Sequence, residues 1–302
     1  MEYRKLGRTG LEVSSLGLGC VTFGREIDAE TSFQILDYAL ERGINLYDTA
    51  EAYGAGASET LLGQWIDDRG VRDKIVLASK FYGTLTRQNL RDSVNASLQR
   101  LKTDRIDLFQ LHNWDEETPV EETLDTLTEL VQEGKILFCA CSNWSAWQLA
   151  KALIMTHERG VARLESVQPP YNLVQREIEA DLIPLCQDQQ VGVLSYSPLG
   201  AGFLTGKYRE GGEVPAGTRF DVIPGHQPIY FTPTGWRVME HLRAKAAEMG
   251  RSMVELALNW TVHQPGITSM LVGAREIRHV DQAFDAESAE ISTAVREELS
   301  QD

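Results

Sequence analysis

Ile106-Asp107-Leu108-Phe109-Gln110-Leu111-His112 is a largely apolar run of strand length that closes on an imidazole. Two earlier runs share its form. Asn45-Leu46-Tyr47-Asp48 closes on an acid and Ile75-Val76-Leu77-Ala78-Ser79-Lys80 on an amine, and Tyr53 follows Asp48 within the same turn. Further strand-like runs begin near Val13, Ile136, Glu165, Val191 and Thr268. Amphipathic stretches separate the first seven, so one β-α unit recurs about every thirty residues. That repeat predicts an α/β fold, a (β/α)8 TIM barrel. The strand ends of such a barrel meet at one rim. Asp48, Tyr53, Lys80 and His112 then surround a single pocket.

Helix ends are readable as well. Thr118-Pro119-Val120-Glu121 reads as a capping box with proline at the first helical position, Leu124, Leu127, Leu130 and Val131 as its buried stripe, and Gly134 as its stop. Another helix opens at Thr86 and buries Leu90, Val94 and Leu98; a third runs from Thr31 to Arg42 and stops at Gly43. Tyr3 to Val13, centred on Gly7-Arg8-Thr9-Gly10, reads as a β-hairpin that caps the bottom of the barrel. The interval from Leu199 to Thr232 is rich in Gly and Pro and too long for an idle connection, so it is expected to cover a cofactor or substrate on the active face. No linker or composition shift calls for a second domain. Residues 1–302 are expected to form one.

Composition narrows the function. The chain of 302 residues carries 29 basic and 44 acidic side chains, a net charge of −15. That balance argues against nucleic acid or an anionic membrane surface as a partner. No run of eighteen apolar residues appears, and Met1-Glu2-Tyr3-Arg4-Lys5 lacks an apolar signal core. Cys20, Cys139, Cys141 and Cys186 lie mostly in apolar runs and read as reduced buried thiols. A cytoplasmic enzyme is the expectation. The histidines, among them His157, His226, His241 and His263, show no ligand spacing that would hold a metal.

The four rim residues are parts for moving a proton. A free phenol has a pKa near 10, and a nearby ammonium lowers it toward the working range. Lys80 is placed to be that ammonium, held by Asp48. Tyr53 then protonates a developing alkoxide, and His112 donates a hydrogen bond to the same oxygen. A hydride source is missing from the amino acids, and a nicotinamide supplies one. Taken singly, each residue also has an ordinary explanation: a structural ion pair, a packing tyrosine, a core histidine.

With these residues in order, the chain resembles the aldo-keto reductase family over essentially its whole length, in the microbial and channel-β-subunit-like branches that carry a long loop after strand seven. Gly43-Ile44-Asn45-Leu46-Tyr47-Asp48-Thr49-Ala50-Glu51-Ala52-Tyr53-Gly54 is similar to the family signature for its acid and tyrosine, and Asp107 to His112 to its histidine strand. Gly134-Lys135 with Cys141-Ser142-Asn143, Gln168-Pro169-Pro170-Tyr171-Asn172 and Tyr196-Ser197-Pro198-Leu199-Gly200 resemble strands five, six and seven. The resemblance implies that Ser142, Asn143 and Gln168 bind the nicotinamide carboxamide and that Tyr171 stacks on its ring. Tyr196, Ser197, Leu199, Gly202, Leu204 and Lys207 would wrap the pyrophosphate side. Val272-Gly273-Ala274-Arg275 would read a ribose 2′-phosphate, with Gly273, Arg275 and His279 as cofactor residues. This favours NADP(H), with NAD(H) as the alternative, because His279 and Ala283 depart from the usual adenine-end pattern. Phe23, Phe81, Tyr82 and Trp114 are expected to line the substrate pocket, Trp144 to touch substrate or cofactor, and Trp147 to be core. Reduction of an aldehyde or ketone, sugar-like or aromatic, is the expected reaction, with a small-molecule carbonyl as partner. A redox-reporting binding module with little turnover is the second reading. A lyase using Lys80 as a Schiff-base nucleophile is the third, opposed by the neighbouring Asp48.

Overall fold

The computed structural model describes residues 1–301. A hairpin of β1 (Tyr3–Lys5) and β2 (Glu12–Ser14) precedes eight parallel strands. These are β3 (Leu16–Gly19), β4 (Leu46–Asp48), β5 (Val76–Phe81), β6 (Ile106–Leu111), β7 (Ile136–Ser142), β8 (Leu164–Gln168), β9 (Gly192–Ser195) and β10 (Ser269–Gly273). β10 pairs with both β9 and β3, so the sheet closes and no edge strand remains. Helices α1 (Ala29–Glu41), α2 (Ala57–Arg69), α3 (Arg87–Leu101), α4 (Val120–Gln132), α5 (Ala146–Arg159) and α6 (Leu182–Gln189) return the chain between successive strands from β3 to β9. Between β9 and β10 lie α7 (Arg219–Val222), α8 (Gln227–Tyr230), α9 (Pro233–Met249) and α10 (Met253–Val262), and α11 (Ile277–Ser288) and α12 (Thr293–Leu299) complete the chain. The fold is a (β/α)8 barrel with an N-terminal hairpin.

Strand periodicity explains how the barrel interior is layered. Leu46, Ala78, Leu108, Ala140 and Leu194 share one inner apolar cluster, and Leu6 and Val13 of the hairpin close it from below. Two residues further along their strands stand Asp48, Lys80, Gln110 and Ser142, again on the inner face because the side-chain period is two. The interior therefore turns from apolar to polar toward the C-terminal rim. The hairpin lies tight against the opposite end. A Cβ at Gly7, where φ is +52°, would come within 2.5 Å of the Glu165 carbonyl oxygen, so a side chain there would lift the cap.

Local signals fare unevenly. Thr86 accepts from the Asn89 amide at 3.3 Å as N-cap of α3, and Gly134 ends the α4 segment at φ +72°. Leu90, Val94, Leu124, Leu127 and Leu130 are fully buried, whereas Leu98 and Val131 lie at the margin. The capping box at Thr118 is not formed. Pro119 has ψ 131°, outside helical space, so α4 begins at Val120 and Pro119 is its cap. The strand expected near Val13 divides in two: Glu12–Ser14 belongs to the hairpin, and the barrel strand starts at Leu16 after Ser15 donates its amide to the Glu2 carbonyl. The apolar pattern runs through this bend, which is why it hides it. Trp147 is 61% exposed, not core, because it sits on the solvent side of α5.

The segment after β9 carries a small core of its own. Phe203 lies 5.0 Å from Trp236 between ring centroids, Tyr208 5.0 Å from Phe220, and Phe220 5.1 Å from Phe231. The Tyr230 hydroxyl ties the segment to the Gln175 side chain at 2.5 Å, and Arg219 ties it to Glu26 at 3.1 Å. No described helix is long and apolar enough to cross a membrane.

Candidate active site

The polar inner layer is a closed hydrogen-bond network around Asp48. Lys80 Nζ contacts Asp48 Oδ1 at 2.5 Å and the Thr49 carbonyl at 2.8 Å. Gln110 Nε2 and Gln168 Nε2 donate to Asp48 Oδ2 at 2.8 and 2.9 Å, and Gln168 Nε2 also reaches Gln110 Oε1 at 3.1 Å. Asp48, Lys80, Gln110 and Gln168 are all buried. Both carboxylate oxygens are thus hydrogen-bonded, Oδ1 to the ammonium and Oδ2 to two amides, which is what a buried charge requires. Gln110 was not singled out from the sequence. Its place two residues before His112, on the same strand face, was the available signal.

Tyr53 stands on the turn beyond β4 with its ring centroid 4.9 Å from Lys80 Nζ, and its ring meets that of His112 edge-on at 6.0 Å. Burial raises the Tyr53 pKa above the ordinary phenol value, although Lys80 pulls against it. The lowering expected from Lys80 is present but outweighed, so the phenol is protonated at neutral pH. For Lys80 burial acts downward, yet Asp48 and Tyr53 together hold the ammonium above its usual pKa. A lysine kept charged is no Schiff-base nucleophile, and the lyase reading loses its chemistry. Burial, with a contribution from Lys80, pushes His112 down to about 4. Its imidazole is neutral at pH 7, and its Nδ1 is buried without a partner.

Asn143 borders the same cluster. Its Nδ2 donates to the His112 carbonyl at 3.0 Å, its Oδ1 accepts from the Tyr196 hydroxyl at 2.8 Å, and its φ is +61°. Ser142 Oγ donates to the Gln168 carbonyl at 2.8 Å. Ser197 also has positive φ, +56°, a conformation that non-glycine residues avoid unless the surroundings impose it. Tyr171 does not share this setting. Its ring is 1% exposed against Trp260 and its hydroxyl is spent on Glu179, so neither face is free to stack on a ligand. Tyr196 is only partly exposed, and burial raises its phenol pKa to about 12, with Tyr53 adding to the rise and Lys80 opposing it.

A second cluster lies along the rim between the β9 segment and β10. The turn Gly200–Thr205 holds Ala201 at φ +55° and Gly202 at +89°. A Cβ at Gly202 would meet Lys207 Nζ at 3.2 Å, so the ammonium is folded over this turn. Leu199 is half-buried at its start, and Leu204 points into the core. Burial and the nearby Arg275 guanidinium depress the Lys207 pKa. Burial and the surrounding cations depress Arg219 likewise, while Glu26 counters them. Glu26 touches Arg219 at 3.1 Å and Arg275 at 3.5 Å. His279 accepts from the Arg275 amide through Nδ1 at 3.2 Å, and Gly273 is exposed at the end of β10. Cations that repel one another across an open turn, on a protein of net charge −15, form a cradle suited to an anion. A dinucleotide phosphate fits these residues. Ala283 is wholly buried in α11 and offers an adenine nothing.

The model of the aldo/keto reductase family matches residues 15–301. The chain belongs to that family. This aldo/keto reductase is 37% identical to "Aldo-keto reductase YhdN" of Bacillus subtilis, over 91% of the chain and 86% of that protein. It is 34% identical to "Uncharacterized oxidoreductase YrpG" of the same organism, over 95% and 91%. A "Probable voltage-gated potassium channel subunit beta" of Oryza sativa subsp. japonica is 33% identical, over 95% and 91%. The reductase therefore stands among both enzymes and channel-subunit relatives.

Of the expected pocket residues, the reductase brings some together and not others. Tyr82 is 65% exposed with its ring 5.8 Å from His112, edge-on. Trp114 packs on Trp144 at 4.7 Å and on Trp147 at 5.5 Å. Trp144 is nearly buried and its Nε1 has no partner. Phe81 is half-buried and folds over Gly83, where a Cβ would meet the ring at 2.9 Å. Phe23 is wholly enclosed in the core and lines no pocket.

Proposed function

We propose that this reductase uses NADPH to reduce an aldehyde or ketone to the alcohol, with Tyr53 as proton donor. The whole of residues 1–302 is taken as one catalytic unit. The observation that carries the reading is the placing of Lys80 between Asp48 and Tyr53, at 2.5 Å from the carboxylate and 4.9 Å from the phenol ring. The nicotinamide, when bound, supplies the hydride.

The side chains do the rest. Tyr53, protonated at neutral pH, gives its proton to the carbonyl oxygen as negative charge gathers there. The Lys80 ammonium stabilises the phenolate left behind, and Asp48, fixed by Gln110 and Gln168, keeps that ammonium in place. Neutral His112 donates a hydrogen bond to the same oxygen and orients the carbonyl. Asn143, Gln168 and Ser142 are proposed to hold the carboxamide, and Tyr196, rather than Tyr171, to stack on the ring. Gly202 and Lys207 would cradle the pyrophosphate, and Arg275 with His279 the 2′-phosphate, which guanidinium binds bidentately. Tyr82, Trp114 and Trp144 form the aromatic wall on the carbonyl side.

Tyr53→Phe tests the proton donor. It keeps the ring, so NADPH affinity measured by tryptophan quenching stays within about twofold while turnover falls by about 10³-fold, within the range for a lost general acid. Wild-type turnover in this variant would show that another group delivers the proton.

A further inference from the structure

The turn that carries Tyr53 is held in an unusual conformation from outside the pocket. Gly54, Ala55 and Gly56, which follow Tyr53 directly, have φ of +58°, +52° and +91°. Three consecutive left-handed residues, one of them alanine, do not form unaided. The side chain of Arg100, from the far end of α3, lies against this turn. A Cβ at Gly56 would meet Arg100 Cδ at 2.8 Å and Nε at 3.0 Å, so the backbone rests directly on the arginine stem. The same guanidinium has Nη2 3.9 Å from Glu51, two residues before Tyr53. It donates through Nε to Glu59 at 2.6 Å, in the first turn of α2. Glu59 is fully buried, and its other oxygen accepts from Ser79 Oγ at 2.5 Å, next to Lys80. Glu51 is fixed in turn: its amide donates to the Lys80 carbonyl at 3.1 Å and its carboxylate accepts from Ser93 of α3 at 2.5 Å.

One arginine thus touches the chain before Tyr53, the chain after it, and the carboxylate that anchors the strand of Lys80. We infer that Arg100 is a positioning residue for proton transfer, setting the separation of Tyr53 from Lys80 without itself entering the pocket. The inference rests on the assignment of Tyr53 as proton donor. A glycine at position 56 is required by this contact as much as by its backbone angle, since any Cβ would push the guanidinium from Glu59.

The test uses the full chain with NADPH and 4-nitrobenzaldehyde, reading the single-turnover rate so that cofactor release does not mask the step. Arg100→Met is expected to lower that rate by about 30- to 100-fold, as displacements near 1 Å do, with NADPH affinity within twofold of wild type. Arg100→Lys, which keeps a cation beside Glu59 but no flat group under Gly56, is expected to lose about tenfold. In the Tyr53→Phe background, Arg100→Met should change the residual rate by less than twofold, because the group it positions is gone. That coupling is a readout a purely structural arginine would not give. Wild-type rates in Arg100→Met overturn the inference; should that protein not fold, a wild-type rate in Arg100→Lys does so. An equal loss in the wild-type and Tyr53→Phe backgrounds also overturns it, assigning Arg100 to general stability. Full turnover in Tyr53→Phe alone sinks the underlying assignment instead, so the two failures are distinct.

Discussion

Removing the Lys80 ammonium strands a buried carboxylate, and the consequences for stability and for catalysis separate. In Lys80→Met, Asp48 stays enclosed at 2% exposure with two neutral amide donors on Oδ2 and no partner left on Oδ1. Breaking a buried pair from one side costs about 3–5 kcal/mol. Asp48→Asn leaves the ammonium with the Thr49 carbonyl at 2.8 Å and the Tyr53 ring, and should cost a similar amount. The double variant removes both charges. Its loss should fall short of the sum of the single losses by about 2–3 kcal/mol, the coupling expected for contacting charges in one network. Urea unfolding followed by tryptophan fluorescence measures this directly. Turnover should be lost in all three proteins, because the double variant regains packing but not the cation that steadies the phenolate. Strictly additive losses would show that the two side chains are not a coupled buried pair. Recovered activity in the double variant would remove the ammonium from the mechanism.

Other outcomes follow from the same geometry. Because Asp48 and Tyr53 outweigh burial and hold Lys80 above 10.5, the stability from its charge is complete below that pH and is lost as pH rises through the raised value; alkaline unfolding of wild type and Lys80→Met should converge. His112 is depressed from 6.5 to about 4, so the unfolded chain takes up its proton first as pH falls, and stability declines between those two values. The acid limb of the reduction rate due to His112 should accordingly lie near pH 4, and a limb at 6.5 would mean an exposed, ordinary imidazole. Arg275→Ala should weaken NADPH binding by about 10- to 100-fold while changing NADH by less than twofold, in titrations at fixed salt; unchanged NADPH affinity would take Arg275 out of 2′-phosphate recognition.

Much of this was legible in the sequence because strands are simple objects. Their side chains alternate, so a chemical group closing an apolar run must point either into the barrel or out of it, and Asp48, Lys80 and His112 share one phase. The β-α repeat then fixes which rim they meet on. What escaped was set by distant contacts and by loop conformation. Arg100 and Glu59 lie on different helices and meet only because α2 and α3 pack side by side. Tyr171 and Tyr196 both follow strand-like runs, and only the fold shows that Trp260 covers one of them. Phe23 and Trp147 exchange expected settings for a similar reason: an aromatic in a loop or at a helix start has no period that reveals its side. The left-handed Asn143 and Ser197 carry no glycine to announce them.

Reduced-nicotinamide absorbance, followed with an aromatic aldehyde and with NADPH and NADH side by side, decides whether this chain reduces carbonyls. Turnover with NADPH, and markedly less with NADH, is the predicted result. Turnover with NADH alone would keep the Tyr53 mechanism and contradict the phosphate cradle. Demonstrated NADPH binding with no turnover across a range of aldehydes and ketones would contradict the reductase account and favour a cofactor-holding binding module.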